Sequence, residues 1–217
     1  MRHVSLALLH VCLLWGALWL GLCQPARAAA AGFADVEISL YPMGVLPSDR
    51  GLFAQRGAPS DTRITNGVGA GFKFALFPHA WGDILGVGLE SSGHGSEISF
   101  TSLTQAGSPA STNVWIFNSM VNVILRYPGK TVVPYLGIGG GLSSAMLTHG
   151  NIPGRSDRDL EGSWAFGSHM FGGMQGNLGE HLFLFSEYKY FWADYHWKQL
   201  ALDFRSQYVL VGIGLRF

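Results

Sequence analysis

The sequence predicts an all-β protein: an eight-stranded, antiparallel, up-and-down transmembrane β-barrel preceded by a cleaved signal peptide. Three observations predict it. Charged residues make up 13% of the 217-residue chain while hydrophobic residues reach 48%, and ordinary soluble domains carry about 25% charge. The apolar residues alternate with glycines and polar residues at the period of two that a strand imposes on its side chains. The connections between the alternating segments are long and short by turns, the hairpin pattern of a barrel whose two ends open on different sides of a membrane.

Residues 1–28 read as the signal peptide and 29–217 as the barrel domain. Arg2 and His3 make a weakly basic start, Val4 to Leu22 is an apolar run, and Gln24-Pro25 breaks it. Ala26-Arg27-Ala28 then places small residues two apart, so cleavage after Ala28 or Ala30 is expected. A retained helical span competes, because the run is nearly long enough to cross a bilayer. The small-residue stretch that follows at once favours cleavage. A lipid on Cys23 is disfavoured by the bulk of Leu22. Cys12 and Cys23 are the only cysteines, which excludes disulfides and thiolate metal sites from 29–217. Beyond the leader no window holds 18 apolar residues. Removing residues 1–28 takes away Arg2 and Arg27 and leaves 12 basic and 14 acidic residues, a balance with no electrostatic case for nucleic acid.

Eight segments carry the alternation. In Phe33 to Tyr41, Val36, Ile38 and Leu40 oppose Asp35, Glu37 and Ser39. In Gly67 to Phe77, Val68, Ala70, Phe72, Phe74 and Leu76 oppose glycines, Lys73 and Ala75. Ile84 to Ser92, short and glycine-rich, sets Leu85, Val87 and Leu89 against Gly86, Gly88 and Glu90. Asn113 to Tyr127 sets Trp115, Phe117, Val121, Val123, Leu125 and Tyr127 against Asn118, Asn122 and Arg126. Val132 to Leu147, Ser163 to Gln175, Leu182 to Trp192 and Arg205 to Phe217 follow the same rule. Most reach the ~9–11 residues with which a tilted strand crosses a bilayer, and an even count, with eight as the minimum, is the rule for bacterial barrels.

Pro42 to Asn66, Gly93 to Thr112 and His149 to Gly162 are long and polar; Pro78 to Asp83, Pro128 to Lys130 and Asn177 to His181 are short, with turn chemistry. Long connections follow odd segments, so with both chain ends in the periplasm they face outside. The last outer connection, Ala193 to Asp203, is shorter. Trp115 and Tyr127 share one face twelve residues apart, which at ~3.3 Å per residue and ~45° tilt separates them by roughly 28 Å along the normal. That matches two aromatic girdles flanking an apolar band. Trp164, Tyr190 and Trp192 fall at the outer ends of their segments, Phe33 and Phe217 at the inner ends.

A soluble barrel would turn its large apolar residues inward and its charges outward. Here the face opposite the apolar stripe holds Asp35, Glu37, Lys73, Glu90, Arg126, Glu187, Lys189 and Arg216. These are expected to pair as a charge network in a narrow lumen, since an isolated charge there is costly.

Val133-Pro134-Tyr135-Leu136-Gly137-Ile138-Gly139-Gly140-Gly141, Leu184-Phe185-Ser186-Glu187-Tyr188-Lys189-Tyr190 and Val211-Gly212-Ile213-Gly214-Leu215-Arg216-Phe217 resemble the opacity-type, OmpA-like outer-membrane β-barrel family. The likeness covers 29–217 in layout and is close in these three segments. It implies a Gram-negative outer membrane, surroundings of membrane lipid and lipopolysaccharide, and an assembly machine that reads a last strand ending in Phe217. It also implies that Glu187 and Lys189 are lumen residues, expected to meet Arg126, Arg216 or Glu90. No peptidoglycan-binding domain follows the barrel, which departs from longer members and argues against a cell-wall anchoring role.

The enzyme alternative is a lipid A-directed acyl hydrolase at the outer rim, which needs a serine, a histidine and an acid together. Ser168 and His169 are adjacent and so point to opposite faces. His149 could meet Ser143 or Ser144 and Asp157, but no spacing demands it, and a His-x-Ser-Asn arrangement is absent. His79, His94, His149, His169, His181 and His196 show no metal-ligand spacing, and no cofactor is indicated. Gly137 to Gly141 lacks the Lys-Ser/Thr ending of a phosphate loop; within a strand its glycines make room for neighbouring side chains. Arg155 to Glu161 is a mixed-charge outer loop. An eight-stranded barrel is just wide enough for its own side chains, so a structural or surface-interaction role is expected first, with ligands meeting loops 42–66, 93–112 and 148–162. A lipid A-modifying activity is second and a narrow solute pore third.

Overall fold

The computed structural model describes residues 33–48, 52–54, 62–100, 110–150, 161–197 and 200–217. The expected signal peptide, 1–28, and its cleavage site lie outside the described residues. Among the described residues ten strands run in chain order: β1 (Ala34–Pro47), β2 (Leu52–Ala54), β3 (Thr62–Ile64), β4 (Gly67–Pro78), β5 (Leu85–Phe100), β6 (Ala110–Arg126), β7 (Val132–Gly150), β8 (Glu161–Asn177), β9 (Leu182–His196) and β10 (Leu200–Arg216). Eight are long, and each pairs antiparallel with the next long strand in sequence. β1 also pairs with β10, from Glu37↔Arg216 to Pro47↔Ser206, which closes the barrel. The three-residue strands lengthen the wall: β2 lies on β10 and β3 on β5.

One end carries tight turns. The turn after β4 is a 3-10 turn, His79–Trp81, followed by Gly82 at φ 66 and Asp83 at φ 58. A non-glycine residue in the left-handed region is uncommon. Asp83 is held there from both sides, its carboxylate 2.6 Å from His79 Nδ1 and its carbonyl accepting from Arg126 Nε at 2.6 Å.

The strands at this turn end stop within two residues of the positions read from the sequence. At the loop end they run further. Parts of the expected connections Pro42 to Asn66, Gly93 to Thr112, His149 to Gly162 and Ala193 to Asp203 are strand, since β1 continues to Pro47, β5 to Phe100, β7 to Gly150 and β9 to His196. The reason is an exchange of faces. Along β10, Leu215, Ile213, Val211 and Val209 point outward, then Gln207, Arg205 and Asp203 take the outward positions. The inward positions at that height are Tyr208, Phe204 and Leu202, all buried. On β6 the outward series ends at Trp115 and continues as Asn113, while Ile116 and Val114 fill the inside. The apolar stripe shifts by one residue while the alternation of the backbone continues unbroken, so the apolar side chains pass from the outer face to the inner one. In sequence that shift looks like the end of a strand.

Below the shift the outside is apolar and exposed: Ile138, Phe166 and Val68 are 64%, 71% and 78% accessible. So large a greasy surface is incompatible with water and suits lipid. No helix among the described residues is long and apolar enough to cross a membrane; the strands are the spanning elements.

Candidate functional site

The lumen divides into two halves. The half toward the turn end is ionic. Arg126 donates from Nη2 to Asp35 Oδ2 at 2.6 Å and from Nη1 to Glu37 Oε1 at 2.9 Å, with its guanidinium 3.8 Å from the centre of the Phe77 ring. Arg216 reaches the same Glu37 oxygen from Nε and Nη2 at 2.9 and 2.8 Å, and Gln175 Nε2 approaches it at 3.4 Å. Higher up, Lys73 bonds Glu187 and Lys189 bonds Glu90. Tyr135 donates to Glu187 at 3.0 Å, and Lys189 stands 3.6 Å from the second Glu187 oxygen. Glu90 also accepts from Tyr41 and, at 3.1 Å, from Asn122 Nδ2. Because Asn122 spends its amide hydrogens on Glu90, its oxygen accepts at 2.8 Å from His169 Nε2, which fixes that nitrogen as the protonated one.

The structure places the seven expected network residues in two clusters, Glu37 with Arg126 and Arg216, and Lys73, Glu187, Lys189 and Glu90 joined in series. Four carboxylates face four cations. The partners differ in one respect from expectation: Glu187 takes Lys73 and Lys189 and is not joined to Arg126 or Arg216. The glycine run on β7 makes this packing possible. A Cβ at Gly139 would lie 2.0 Å from Asn122 Oδ1 and 2.5 Å from His169 Nε2; at Gly137 it would lie 2.4 Å from the Phe171 ring. A cavity of 50 Å³ remains, lined by Glu37, Lys73, Tyr135, Gln175 and Glu187 among others, room for a few waters.

Among the described residues the half toward the loop end holds no buried charged side chain, where a charged interior was expected. Tyr208, Phe191, Phe204, Tyr195 and Trp197 form a continuous aromatic column, with centroids 5.8 to 6.3 Å apart. Ile98, Ile116, Val114, Leu147 and Leu202 pack around it. His94 joins this column, stacked on Phe204 at 5.9 Å and edge-on to Tyr208 at 5.2 Å, and neither of its ring nitrogens has a hydrogen-bond partner. Residues 29–217 carry this second half in plain alternation, but on the opposite face from the stripe that marks the membrane, so reading the sequence for one stripe misses it.

Of the girdle residues, Trp115, Trp164 and Trp192 point outward at the loop end and Tyr127 and Phe217 at the turn end. Tyr190, half-buried, lies 5.9 Å from Trp192. Of the nucleophile candidates, Ser143 donates to Asn118 Oδ1 at 2.6 Å and bonds the Tyr195 hydroxyl, while the buried Ser144 hydroxyl has no hydrogen-bond partner. His169 is buried in the lumen while Ser168 faces the other way. The side chain of His149 and all of Asp157 lie outside the described residues. Among the described residues no group of three or more His, Cys, Asp or Glu is placed to hold a metal ion.

A closed wall with an apolar band outside and an ionic lumen inside defines a transmembrane β-barrel of the outer-membrane type. The model of the outer membrane protein beta-barrel domain matches residues 17–217, and the chain belongs to that family. It is thereby a protein of the Gram-negative outer membrane. Its structure is similar to that of the outer membrane protein OprG from Pseudomonas aeruginosa, with a TM-score of 0.61 and 15% identity over 85% of this chain and 96% of that one. It is also similar to Ail, the attachment invasion locus protein of Yersinia pestis, solved with the heparin analogue sucrose octasulfate, with a TM-score of 0.50 and 14% identity over 85% and 99% of the two chains. At such identities the likeness is one of fold. No curated protein matches the sequence.

Proposed function

We propose that the protein is a non-conducting barrel that works at the outer surface, in a structural or surface-interaction role, with its loops as the contact region. The observation that carries this reading is a lumen occupied along its height by its own side chains, ionic in one half and aromatic in the other. The 50 Å³ left among these side chains is too small for a solute path. The contact loops are 42–66, 93–112 and 148–162, the last with the mixed charges Arg155 to Glu161; their central stretches lie outside the described residues. Lipopolysaccharide is the nearest partner for such loops. Phe217, exposed at the end of β10, is proposed as the signal that assembly machinery reads. The charge network would hold the scaffold rather than act on a substrate.

The test is conductance of the purified protein in planar bilayers, where silence is expected. Ohmic single-channel steps would overturn the reading in favour of a pore. Lipid A from cells with and without the protein, compared by mass spectrometry, separates the acyl-hydrolase alternative: a changed acyl pattern would replace the surface role by a catalytic one.

A further inference from the structure

The loop half of the lumen is densely packed, and among the described residues one imidazole is enclosed in it. His94 points inward from β5 and is 1% exposed. Gly69, its partner on β4, makes the room: a Cβ at Gly69 would lie 2.6 Å from His94 Cβ and 2.7 Å from the Met43 methyl carbon. The ring stacks on Phe204 with 26° between the planes and meets Tyr208 edge-on. Neither ring nitrogen has a hydrogen-bond partner. The hydroxyls of Ser96, Ser206 and Tyr208 have none either, so none of these oxygens is in reach of the ring.

Nothing around the ring is placed to neutralise a charge on it. Along the strands packed against it, the inward titratable groups next to its contacts are Tyr208 on β10, Tyr41 on β1, Lys73 on β4 and, on β5 itself, Glu90. β6 presents Val114, Ile116 and Asn118 there, none of which titrates. Lys73 and Glu90 stand opposite one another, four positions below Gly69 and His94, and each is held in an ion pair. Lys189, opposite Tyr208 on β9, is a further cation. The one carboxylate in this set, Glu90, is already bonded to Lys189, Tyr41 and Asn122. A charge enclosed without a partner is strongly unfavourable.

We propose that His94 is an acid-sensitive latch: a proton taken up by its ring parts β5 from the Phe204 and Tyr208 rings and loosens the loop half, while the ionic half stays closed. The sign follows from which state can hold the proton. An opened loop half lets the ring be protonated below about pH 6.5, and the packed one does not. Opening therefore grows about tenfold for each pH unit below ~6.5 and is indifferent to pH above it. Phe204 transmits the change, because it also packs on Phe191 and Tyr195. The latch acts on the half that carries the loops but rests on its packing alone, so a conducting or lipid-modifying barrel would leave it standing.

The test is hydrogen exchange of the protein in nanodiscs from neutral pH down to about two units below the ordinary histidine pKa of ~6.5. Each rate is expressed as protection relative to unstructured peptide, so that the chemical pH dependence cancels. In the parent, the amides of 112–117 on β6 and 202–207 on β10 are expected to lose protection about tenfold per pH unit below ~6.5, while those of 121–125 keep theirs. His94→Phe and His94→Leu cannot take the proton, and loop-half protection in each is expected to stay level over the same range; if one of the two does not fold, the other carries the comparison. No loss in the parent, equal loss in parent and variants, or a loss that extends equally to 121–125 overturns the proposal. The nitrogen shifts of the His94 ring give a second readout on the unsubstituted chain. They are expected to report a neutral ring for as long as 112–117 stay protected. A ring that gains its proton near pH 6.5 with those amides still protected overturns the latch as well.

Discussion

The two halves of the lumen are built from the same strands and hold opposite chemistries. Near the turn end, Glu37, Arg126 and Arg216 and, above them, Lys73, Glu187, Lys189 and Glu90 are joined by ion pairs. Near the loop end, Tyr208, Phe191, Phe204 and Tyr195 pack with Ile116 and Leu202. The difference follows from what lies outside the wall at each height. Where lipid surrounds the barrel, apolar side chains are already accommodated outward, and the enclosed space is left for charges that must satisfy one another. Where the wall rises past Trp115, Trp164 and Trp192, the surroundings are aqueous. Apolar side chains then gain only by turning inward, at about 25 cal/mol per Å² removed from water. One strand thus serves two solvents by exchanging its faces once.

The largest effect expected from this comparison is at Lys189. Lys189→Met keeps the shape of the stem and deletes the charge, leaving Glu90 with Tyr41 and Asn122 alone and Glu187 with Lys73 and Tyr135. Breaking a buried pair on one side costs about 3–5 kcal/mol, to be read as a lowered urea midpoint for unfolding from lipid vesicles. Adding Glu90→Gln should recover part of that loss, because the stranded carboxylate is gone. If the single variant unfolds like the parent, the ionic half is not a cooperating network. Next in size is the exterior. Val121→Arg places a charge on the lipid face midway between Trp115 and Tyr127 and should cost about 2–4 kcal/mol in the same assay. A third substitution brings methionine to the aromatic half. Leu202→Met exchanges apolar side chains of similar volume and should cost less than about 1.5 kcal/mol. A loss as large as that of Lys189→Met would show that the two halves do not differ in kind.

The turn end was legible in the sequence and the loop end less so, for a physical reason. Within the membrane band, Val121, Val123 and Leu125 opposite Asn122 and Arg126 give an unambiguous period of two. The charges opposite the stripe, from Glu37 to Arg216, name the lumen residues directly. Past the girdle the period persists but its phase inverts, so Thr112 and Asp203 read as the ends of loops although both lie within strands. The partners of each charge were not legible, since they depend on which strands face each other across the lumen. Glu187 could be placed inside from its position on β9. Its choice of Lys73, on a strand that is not its neighbour, requires the closed barrel. The aromatic column was hidden in the same way: Tyr195 and Phe204 stand on adjoining strands, but the outer stripe draws attention to Trp192 and Val209 instead.

The smallest expected effect is the sharpest test of the inversion. Asn113 and Val121 occupy the same face of β6, eight residues apart, and both point outward. If the membrane band ended only at the last strand residue, Arg at either position would meet hydrocarbon and cost a similar amount. With the face exchange at Trp115, Asn113 stands above the girdle among headgroups and water, where a lipid-face charge costs about 0–1 kcal/mol. Asn113→Arg is therefore expected to leave the urea midpoint near that of the parent, while Val121→Arg lowers it. Equal losses would place both residues in lipid, and the apolar packing of Val114 and Ile116 behind them would then need a cause other than the change of solvent outside the wall.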